Sequence, residues 1–312
     1  MFARRSNIFI GEKMEKNYLE FTAKDNKKIK YLEWKVENPK MCVEIIHGMH
    51  DHAMRYDEFA KFLQANGISV YALDLRGHGM SAVDKDHLGL VPYTNAWMKM
   101  VDDIDVLNTI IRKENPDKKL AMLGQSMGSI LARTYAYKFG DYIDKLLLLS
   151  CIKSPIFVNK LFKLFLKLAL AKEGYDGKNE ALNKKAFDFI YKATKDNMLT
   201  SDPEENAKFL NDPLCIFEYS NGFFQMIIHG TDKANRKESL DYIPKDLPIY
   251  LFTGKKDPLS NYDTGIKQMY GLLRSNGIDN LEMYEYENLK HDLLHDIEKE
   301  KVYQDILKAL LA

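Results

Sequence analysis

The apolar run Leu120–Leu123 passes directly into Gly124-Gln-Ser126-Met-Gly128 and then into the helical pattern Met127–Phe139. A Gly-x-Ser-x-Gly stretch between a strand and a helix is a tight elbow that exposes the serine hydroxyl. Its glycines remove side chains that would clash with the turn. The hydroxyl then lies near a helix N-terminus, whose free N–H groups favour a developing negative charge. In a chain with 17 glycines and 12 serines, chance yields this pattern ~0.035 times, before any strand–helix context is required. The stretch constrains fold and chemistry together, because it demands a buried strand, a helix packed against it and a nucleophile at Ser126.

The remaining sequence supplies a sheet for that strand. Tyr18–Thr22 and Lys28–Val36 alternate polar and apolar residues as an opening hairpin does. Met41–His47, Ile68–Asp74, Leu120–Gln125, Lys145–Ser150, Pro248–Thr253 and Leu281–Tyr286 read as buried strands. Helical patterns at Tyr56–Asn66, Met98–Glu114, Met127–Phe139, Asp263–Asn276 and Leu293–Leu311 fall between or after them. This alternation predicts an α/β protein with an open, mainly parallel sheet covered on both faces. Nearly a hundred residues separate the strand ending near Ser150 from the one starting near Pro248, and a connection that long needs structure of its own. It is aromatic-rich, with Phe157, Phe162, Phe165, Phe187, Phe189, Phe209, Phe217, Phe223 and Phe224, and reads as a helical cap. The expected division is 1–151 and 241–312 for the two parts of the core and 152–240 for the inserted cap.

Charge and cysteines narrow the partners. Lys+Arg and Asp+Glu both number 45, so the basic excess usual for a nucleic-acid binder is missing. Cys42, Cys151 and Cys215 are odd in number, far apart and form no CxxC pair, which suits a reduced, cytoplasmic chain. The start, Met1–Gly11, has neither the apolar core nor the small-residue cleavage site of a secretory leader. Leu161–Ala171, the most apolar stretch, is too short to span a bilayer and contains Lys163 and Lys167. With Lys160 these place a basic stripe opposite a Leu/Phe face. Two readings stay open for it: a helix packed on the protein, or an amphipathic helix in transient contact with a membrane surface. Oligomeric state is not encoded in any of these patterns.

Ser126 needs a base, and the base needs an orienting carboxylate. In strand–elbow–helix folds these follow the serine in the order acid, then histidine, on loops after later strands. Of the eight histidines, five precede Ser126 and His229 lies in the inserted region. His291 occupies the loop after the last strand, and His295, expected in the terminal helix, ranks second. Asp257 follows the strand and glycine turn of Tyr250-Leu-Phe-Thr-Gly-Lys-Lys-Asp257, and Pro258 keeps it out of a helix. The oxyanion of acyl transfer needs two donors, assigned to the backbone N–H of Met127 and, from the loop Ile45–His50, of Met49. His47, at that strand's end, reads as a structural hydrogen-bonding residue. His291-Asp-Leu-Leu-His295 superficially matches a zinc motif, but Asp292 replaces the required Glu and no third ligand is evident, so no metal is expected.

His47-Gly-Met-His-Asp-His-Ala-Met-Arg-Tyr56, Asp74-Leu-Arg-Gly-His-Gly-Met-Ser81, Gly124–Gly128, Gly254–Asp257 and His291–His295 together resemble the α/β-hydrolase superfamily, specifically its monoacylglycerol lipase and lysophospholipase-like branch. The resemblance implies an α/β-hydrolase fold with an eight-stranded, mostly parallel sheet. It implies a serine carboxylester hydrolase with Ser126, Asp257 and His291 as triad, oxyanion donors at Met49 and Met127, no cofactor, and a monoacyl lipid ester as substrate. Two positions depart from the branch: His50 stands where a small residue is usual, and Asp51 replaces the commoner Glu. His50 is a candidate head-group contact, and Cys215 has two readings, as part of the acyl path or as a buried structural cysteine. Two other functions stay open, an aminopeptidase-type hydrolase, for which Glu204, Glu205 and Glu218 would have to form an acidic clamp, and a non-catalytic binding protein.

Overall fold

The chain forms eight strands, of which the five central ones are buried along their whole length between two hydrophobic layers while the other three leave residues exposed. The eight are β1 (Leu19–Thr22), β2 (Lys28–Trp34), β3 (Met41–Ile46), β4 (Ile68–Leu73), β5 (Leu120–Gln125), β6 (Lys145–Leu149), β7 (Ile249–Gly254) and β8 (Leu281–Tyr286). The structure is a computed structural model that describes residues 18–91, 95–153, 155, 157–194 and 199–312, without the side chains of 188–194 and 263. Met1–Gly11, read above as lacking the features of a secretory leader, and the Phe189 side chain lie outside the described residues.

The strands form one sheet in the order β1-β2-β4-β3-β5-β6-β7-β8. β1 pairs antiparallel with β2, as the predicted hairpin requires, and β2 pairs antiparallel with β4. Every other pairing is parallel. In β6, Leu146 and Leu148 enter one core layer while Leu147 and Leu149 enter the other, the period-2 consequence of a strand buried on both faces.

Helices cover both faces. On one side α1 (Asp57–Ala65) and the terminal α10 (Lys299–Leu311) bury Phe59, Leu63, Val302, Tyr303 and Ile306. On the other, α2 (Ala96–Glu114), α3 (Met127–Phe139) and α9 (Asp263–Ser275) contribute Met100, Ile104, Ile130, Leu131, Ile266 and Leu273. Between β6 and β7 come α4 (Lys160–Glu173), α5 (Glu180–Thr194), α6 (Pro203–Asn211), α7 (Asn221–Ala234) and the short α8 (Lys237–Leu240). Their starts are capped as the sequence suggests: Asn159, Asp202 and Ser220 accept backbone N–H groups of the first turns of α4, α6 and α7. α7 packs on α2 and α3 as well as on α4, so the inserted helices are seated on the core. Among the described residues no helix is long and apolar enough to cross a membrane.

The terminal helix is shorter than the expected Leu293–Leu311. Leu293–His295 forms a single 3₁₀ turn, Asp296 is extended at φ −106°, ψ 172°, and α10 begins at Lys299. The Asp296 carboxylate accepts the N–H groups of Ser201, Lys290 and Ile297, which commits this segment to the loop rather than to helix. His295 therefore does not lie in the helix body.

α7 crosses α2 where Gly230 faces Trp97, and a Cβ at Gly230 would overlap the indole ring. Trp97 cannot swing away freely, because its Nε1 donates to Thr134 Oγ1 at 3.1 Å. Gly230→Ala should lower unfolding stability by about 1–3 kcal/mol. Gly271→Ala, in exposed space on α9 with nothing within 4 Å of the added Cβ, should raise it by about 0.5–1 kcal/mol. Urea denaturation of the two variants checks both signs.

Candidate active site

Ser126 lies between β5 and α3 with φ 53° and ψ −116°, a conformation that non-glycine residues avoid. Its surroundings hold it there. Ser126 N–H donates to the Leu149 carbonyl at 3.0 Å, and Ser129 donates to the Ser126 carbonyl from N–H at 2.9 Å and from Oγ at 2.6 Å. α3 starts directly under β3: a Cβ at Gly128 would overlap the main-chain oxygens of Ile46 and His47, and one at Gly124 would overlap the oxygen of Gly128.

The β7 and β8 loops bring the other two predicted residues to this hydroxyl. His291 Nε2 lies 2.8 Å from Ser126 Oγ, and His291 Nδ1 lies 2.7 Å from Asp257 Oδ2. Asp257 is fully buried and its second oxygen accepts the Leu259 N–H at 2.8 Å. An imidazole protonated on Nδ1 fits both contacts and leaves Nε2 free to accept the serine proton. Burial pulls the His291 pKa down, but the Asp257 carboxylate outweighs it and holds the group above the ordinary histidine value.

Two positioning contacts were not anticipated from sequence. The His291 carbonyl accepts from Gln125 Nε2 at 2.9 Å and from Ser150 Oγ at 2.5 Å. Gln125 is the variable residue before the serine of the elbow, and Ser150 terminates β6 at φ 46°. Nothing local in the sequence marks either as a partner of residue 291. Gly254 has a similar spatial purpose, since a Cβ there would overlap the Leu289 and Lys290 carbonyls of the histidine loop.

The loop after β3 faces the serine from the other side. A Cβ built on Gly48 would stand 3.2 Å from Ser126 Cβ. Among the described residues, the N–H groups of Met49 and Met127 donate to no protein acceptor. His47 is buried between its own loop and the next strand: Nδ1–H donates to the Gly48 carbonyl at 2.8 Å and Nε2 accepts the Leu75 N–H at 2.9 Å. His50 lines the cleft. Its Nδ1–H donates to the Cys215 carbonyl at 2.9 Å, and burial pushes its pKa down to about 3, so the ring is neutral. Cys215 is not part of the cleft lining. Its side chain is fully buried in a small cluster with Phe209 and Leu199, its thiol pKa is pushed up by burial, and its carbonyl reaches His50. Of the two readings of Cys215, this burial favours the structural one.

The cleft over Ser126 has an open volume of about 840 Å³. Its lining combines apolar Ile152, Pro155, Phe157, Phe187, Phe209 and Ile216 with the charged Asp51, Arg55 and Asp292, and the Arg55 guanidinium lies over the Phe209 ring at 5.2 Å. Arg55, a residue the sequence did not single out, donates to Asp51 Oδ1 at 3.1 Å and to Asp292 Oδ2 at 2.7 Å. His295 completes the cluster, with Nδ1–H donating to Asp292 at 2.8 Å and Nε2 lying 2.8 Å from the Arg55 carbonyl. Burial opposes the Asp292 charge, but His295 and Arg55 together hold its carboxyl well below the usual range. The rings of His291 and His295 are thus committed to different partners and do not converge. His52, Asp212 and Cys215 bring ligand-type atoms within 4.8 Å of one another, with His52 Nε2 already 2.9 Å from Asp212 Oδ2. Glu204, Glu205 and Glu218 do not line the cleft, and Glu205 pairs with Lys208.

Comparison with known proteins places these features in a family. Residues 37–298 match the family described as serine aminopeptidase, S33. The chain is 27% identical to a monoglyceride lipase homolog of monkeypox virus over 92% of this chain and 94% of that protein. It is 24% identical to a monoacylglycerol lipase of Mycolicibacterium smegmatis over 86% and 87% of the two chains. Its fold superimposes on a highly thermostable carboxyl esterase from Bacillus coagulans with a TM-score of 0.83, at 24% identity, covering 94% of this chain and 97% of that one.

The raised His291 pKa carries a stability signature. A folded pKa above the ordinary value of ~6.5 contributes stability that is full below pH ~6.5 and is lost as pH rises through the folded pKa. Asp257→Asn removes the charge that sustains this contribution. Its melting temperature should therefore fall further below wild type at pH 6 than at pH 8, and a gap that is constant with pH would contradict the coupling.

Proposed function

The chain belongs to the serine aminopeptidase S33 family of α/β-hydrolases, in its monoacylglycerol lipase-like branch, and on that premise we propose that it is a carboxylic ester hydrolase for monoacyl lipids, monoacylglycerol or lysophospholipid, working through Ser126, His291 and Asp257. The observation that carries this reading is the unbroken hydrogen-bonded line Asp257–His291–Ser126, at 2.7 and 2.8 Å, with Ser126 and His291 lining a largely apolar cleft.

Ser126 Oγ attacks the ester carbonyl while its proton passes to His291 Nε2. Asp257 keeps the imidazole oriented and stabilises its cationic form. The tetrahedral oxygen is received by the N–H groups of Met49 and Met127, which among the described residues have no protein acceptor to give up. The protonated imidazole then supplies the departing alcohol with its proton, leaving an acyl-enzyme. Water, deprotonated by His291, releases the acid. In this reading the apolar lining residues take the acyl chain, at ~0.8 kcal/mol per buried methylene, and His50 with the charged lining residues takes the head group.

The cleft also separates this reading from aminopeptidase activity. Binding a free α-amine calls for an uncompensated carboxylate near the serine. The lining carboxylates Asp51 and Asp292 are both engaged by Arg55. Retention of Ser126, His291 and Asp257 in contact likewise supports this reading over a purely binding role.

The inserted segment 152–240 acts in this proposal as a cap that meets a membrane surface. α4 buries Phe162, Leu166 and Ala169 but leaves Leu161, Leu164, Phe165 and Leu168 exposed beside Lys160, Lys163 and Lys167. The packed stripe and the exposed stripe coexist on one helix, and the second fits an acyl–headgroup boundary.

Three outcomes are expected. Fluorophosphonate labelling should vanish in Ser126→Ala, and persistence of label would remove Ser126 as nucleophile. Turnover across p-nitrophenyl esters should rise from acetate toward longer acyl chains and exceed that on aminoacyl anilides, whereas anilide preference would overturn the lipid reading. Leu164→Glu/Leu168→Glu should abolish co-sedimentation with phosphatidylglycerol-containing vesicles while leaving p-nitrophenyl butyrate turnover unchanged.

A further inference from the structure

His50 is one residue beyond the proposed oxyanion donor Met49 and carries a backbone φ of 53°, in the left-handed region. A histidine stays there only if its surroundings over-determine the conformation. The hydrogen bonds that hold it come from the inserted segment between α6 and α7, not from the α/β core. His50 N–H donates to Tyr219 Oη at 2.8 Å and its Nδ1–H donates to the Cys215 carbonyl at 2.9 Å. Its ring also rests against the Tyr219 ring at 4.5 Å between centroids.

Tyr219 is itself held from every side. The Asn183 amide brackets its backbone, accepting from its N–H and donating to its carbonyl, both at 2.8 Å. The ring stacks on Phe223 at 3.6 Å and 12°. Its hydroxyl lies 2.9 Å from His78 Nε2, and His78 Nδ1 lies 3.0 Å from the Arg76 carbonyl. That carbonyl is an acceptor only, so Nδ1 must carry the His78 proton and Nε2 must accept from Tyr219. The phenol in turn accepts from His50 N–H. The direction of the whole line is thereby set: His50 N–H to Tyr219 Oη–H to His78 Nε2, with His78 Nδ1–H to Arg76. Both aromatic members are fully buried, burial pushing the phenol pKa up and the imidazole pKa down, so neither ionises near neutrality.

We propose that Tyr219 is a positioning residue for the oxyanion loop, fixing the 49–50 peptide so that Met49 N–H points at the tetrahedral oxygen. This rests on the serine-hydrolase reading above. Pinning the 49–50 peptide restricts ψ of Met49, and with it the direction of the preceding N–H. A donor placed in advance needs no reorganisation when charge develops, whereas one that must be recruited loses much of its effect. It follows that the inserted segment does more than shape the acyl site, because a seated cap completes the oxyanion hole and a displaced one loosens it.

Tyr219→Phe keeps the stack on Phe223 and deletes only the hydroxyl. With p-nitrophenyl butyrate, kcat should fall about 10- to 100-fold while KM stays within about 2-fold. An alkyl trifluoromethyl ketone, whose carbonyl carbon adds Ser126 Oγ to place an oxyanion in the hole, should weaken by the same factor as kcat/KM. Affinity for a free fatty acid should not change. Ile111→Ala, a cavity near the C-terminal end of α2 and outside the inserted segment, is the stability control and should leave kcat intact at a comparable loss of melting temperature. Wild-type kcat and ketone affinity in Tyr219→Phe, or an equal kcat loss in Ile111→Ala, would overturn the proposal. Should Tyr219→Phe not fold, His78→Asn removes the acceptor at the far end of the line and must reduce kcat and ketone affinity together; wild-type values there would likewise overturn it. Absence of fluorophosphonate labelling in the wild type would instead remove the underlying reading, while a labelled wild type beside an unaffected Tyr219→Phe removes this inference alone.

Discussion

The geometry at Ser126 depends on how closely α3 can begin beneath the sheet. Gly128 sits against the Ile46 and His47 carbonyls, and Gly124 sits against Gly128. Any side chain there would push the helix start away from β3 and carry the serine with it. That single close approach puts Ser126 at positive φ, aims its hydroxyl out of the turn, and brings the loop Gly48–His50 to the N-terminal end of the same helix. The two free N–H groups beside the serine belong to the two elements forced together.

The other catalytic-type residues are fixed by main-chain contacts more than by side-chain packing. Gln125 and Ser150 take the His291 carbonyl from two adjacent strand ends. The Asp257 turn is seated against the carbonyls of the histidine loop because Gly254 has no side chain. Beside them, Asp51, Arg55, Asp292 and His295 form a buried charged cluster in which each group has a partner. Removing one member would leave an uncompensated charge, a costly defect in a low-dielectric site. The cluster thus links the loop after β3 to the loop after β8.

The inserted helices are tied to the core at both crossings by Arg133 of α3. Its guanidinium donates to the Ile152 carbonyl at 3.1 Å and to Asn235 Oδ1 at 3.0 Å, and Asn235 Nδ2 donates to the Lys153 carbonyl at 2.5 Å. The arginine is buried, and among the described residues it has no carboxylate partner, so its hydrogen bonds to these two connections carry its desolvation. Tyr219 and Cys215 then reach from the same segment into the loop beside Ser126.

Much of this was readable along the chain. Polar–apolar alternation identified β1 and β2, and short apolar runs identified the other six strands, all to within a residue or two, since a strand buried on both faces leaves a continuous apolar run. The elbow stood out because its glycines answer a local steric demand. Asp257 and His291 could be named because strand order restricts which loops can reach a serine at the end of β5. The start of α10 was misplaced, because three N–H groups, two of them from distant or loop residues, compete for the Asp296 carboxylate and no local propensity encodes them. Arg55, Gln125, Ser150 and Tyr219 were invisible for the same reason: the partners Asp292, His291 and His50 lie between 141 and 237 residues away in the chain. By itself the sequence determined the sheet, the elbow and the identity of the three residues that meet there, because periodicity and local sterics act over a few residues. Only the tertiary structure decided which groups hold them still and what the cleft walls are made of, because those interactions depend on contacts that exist only once the chain has closed on itself.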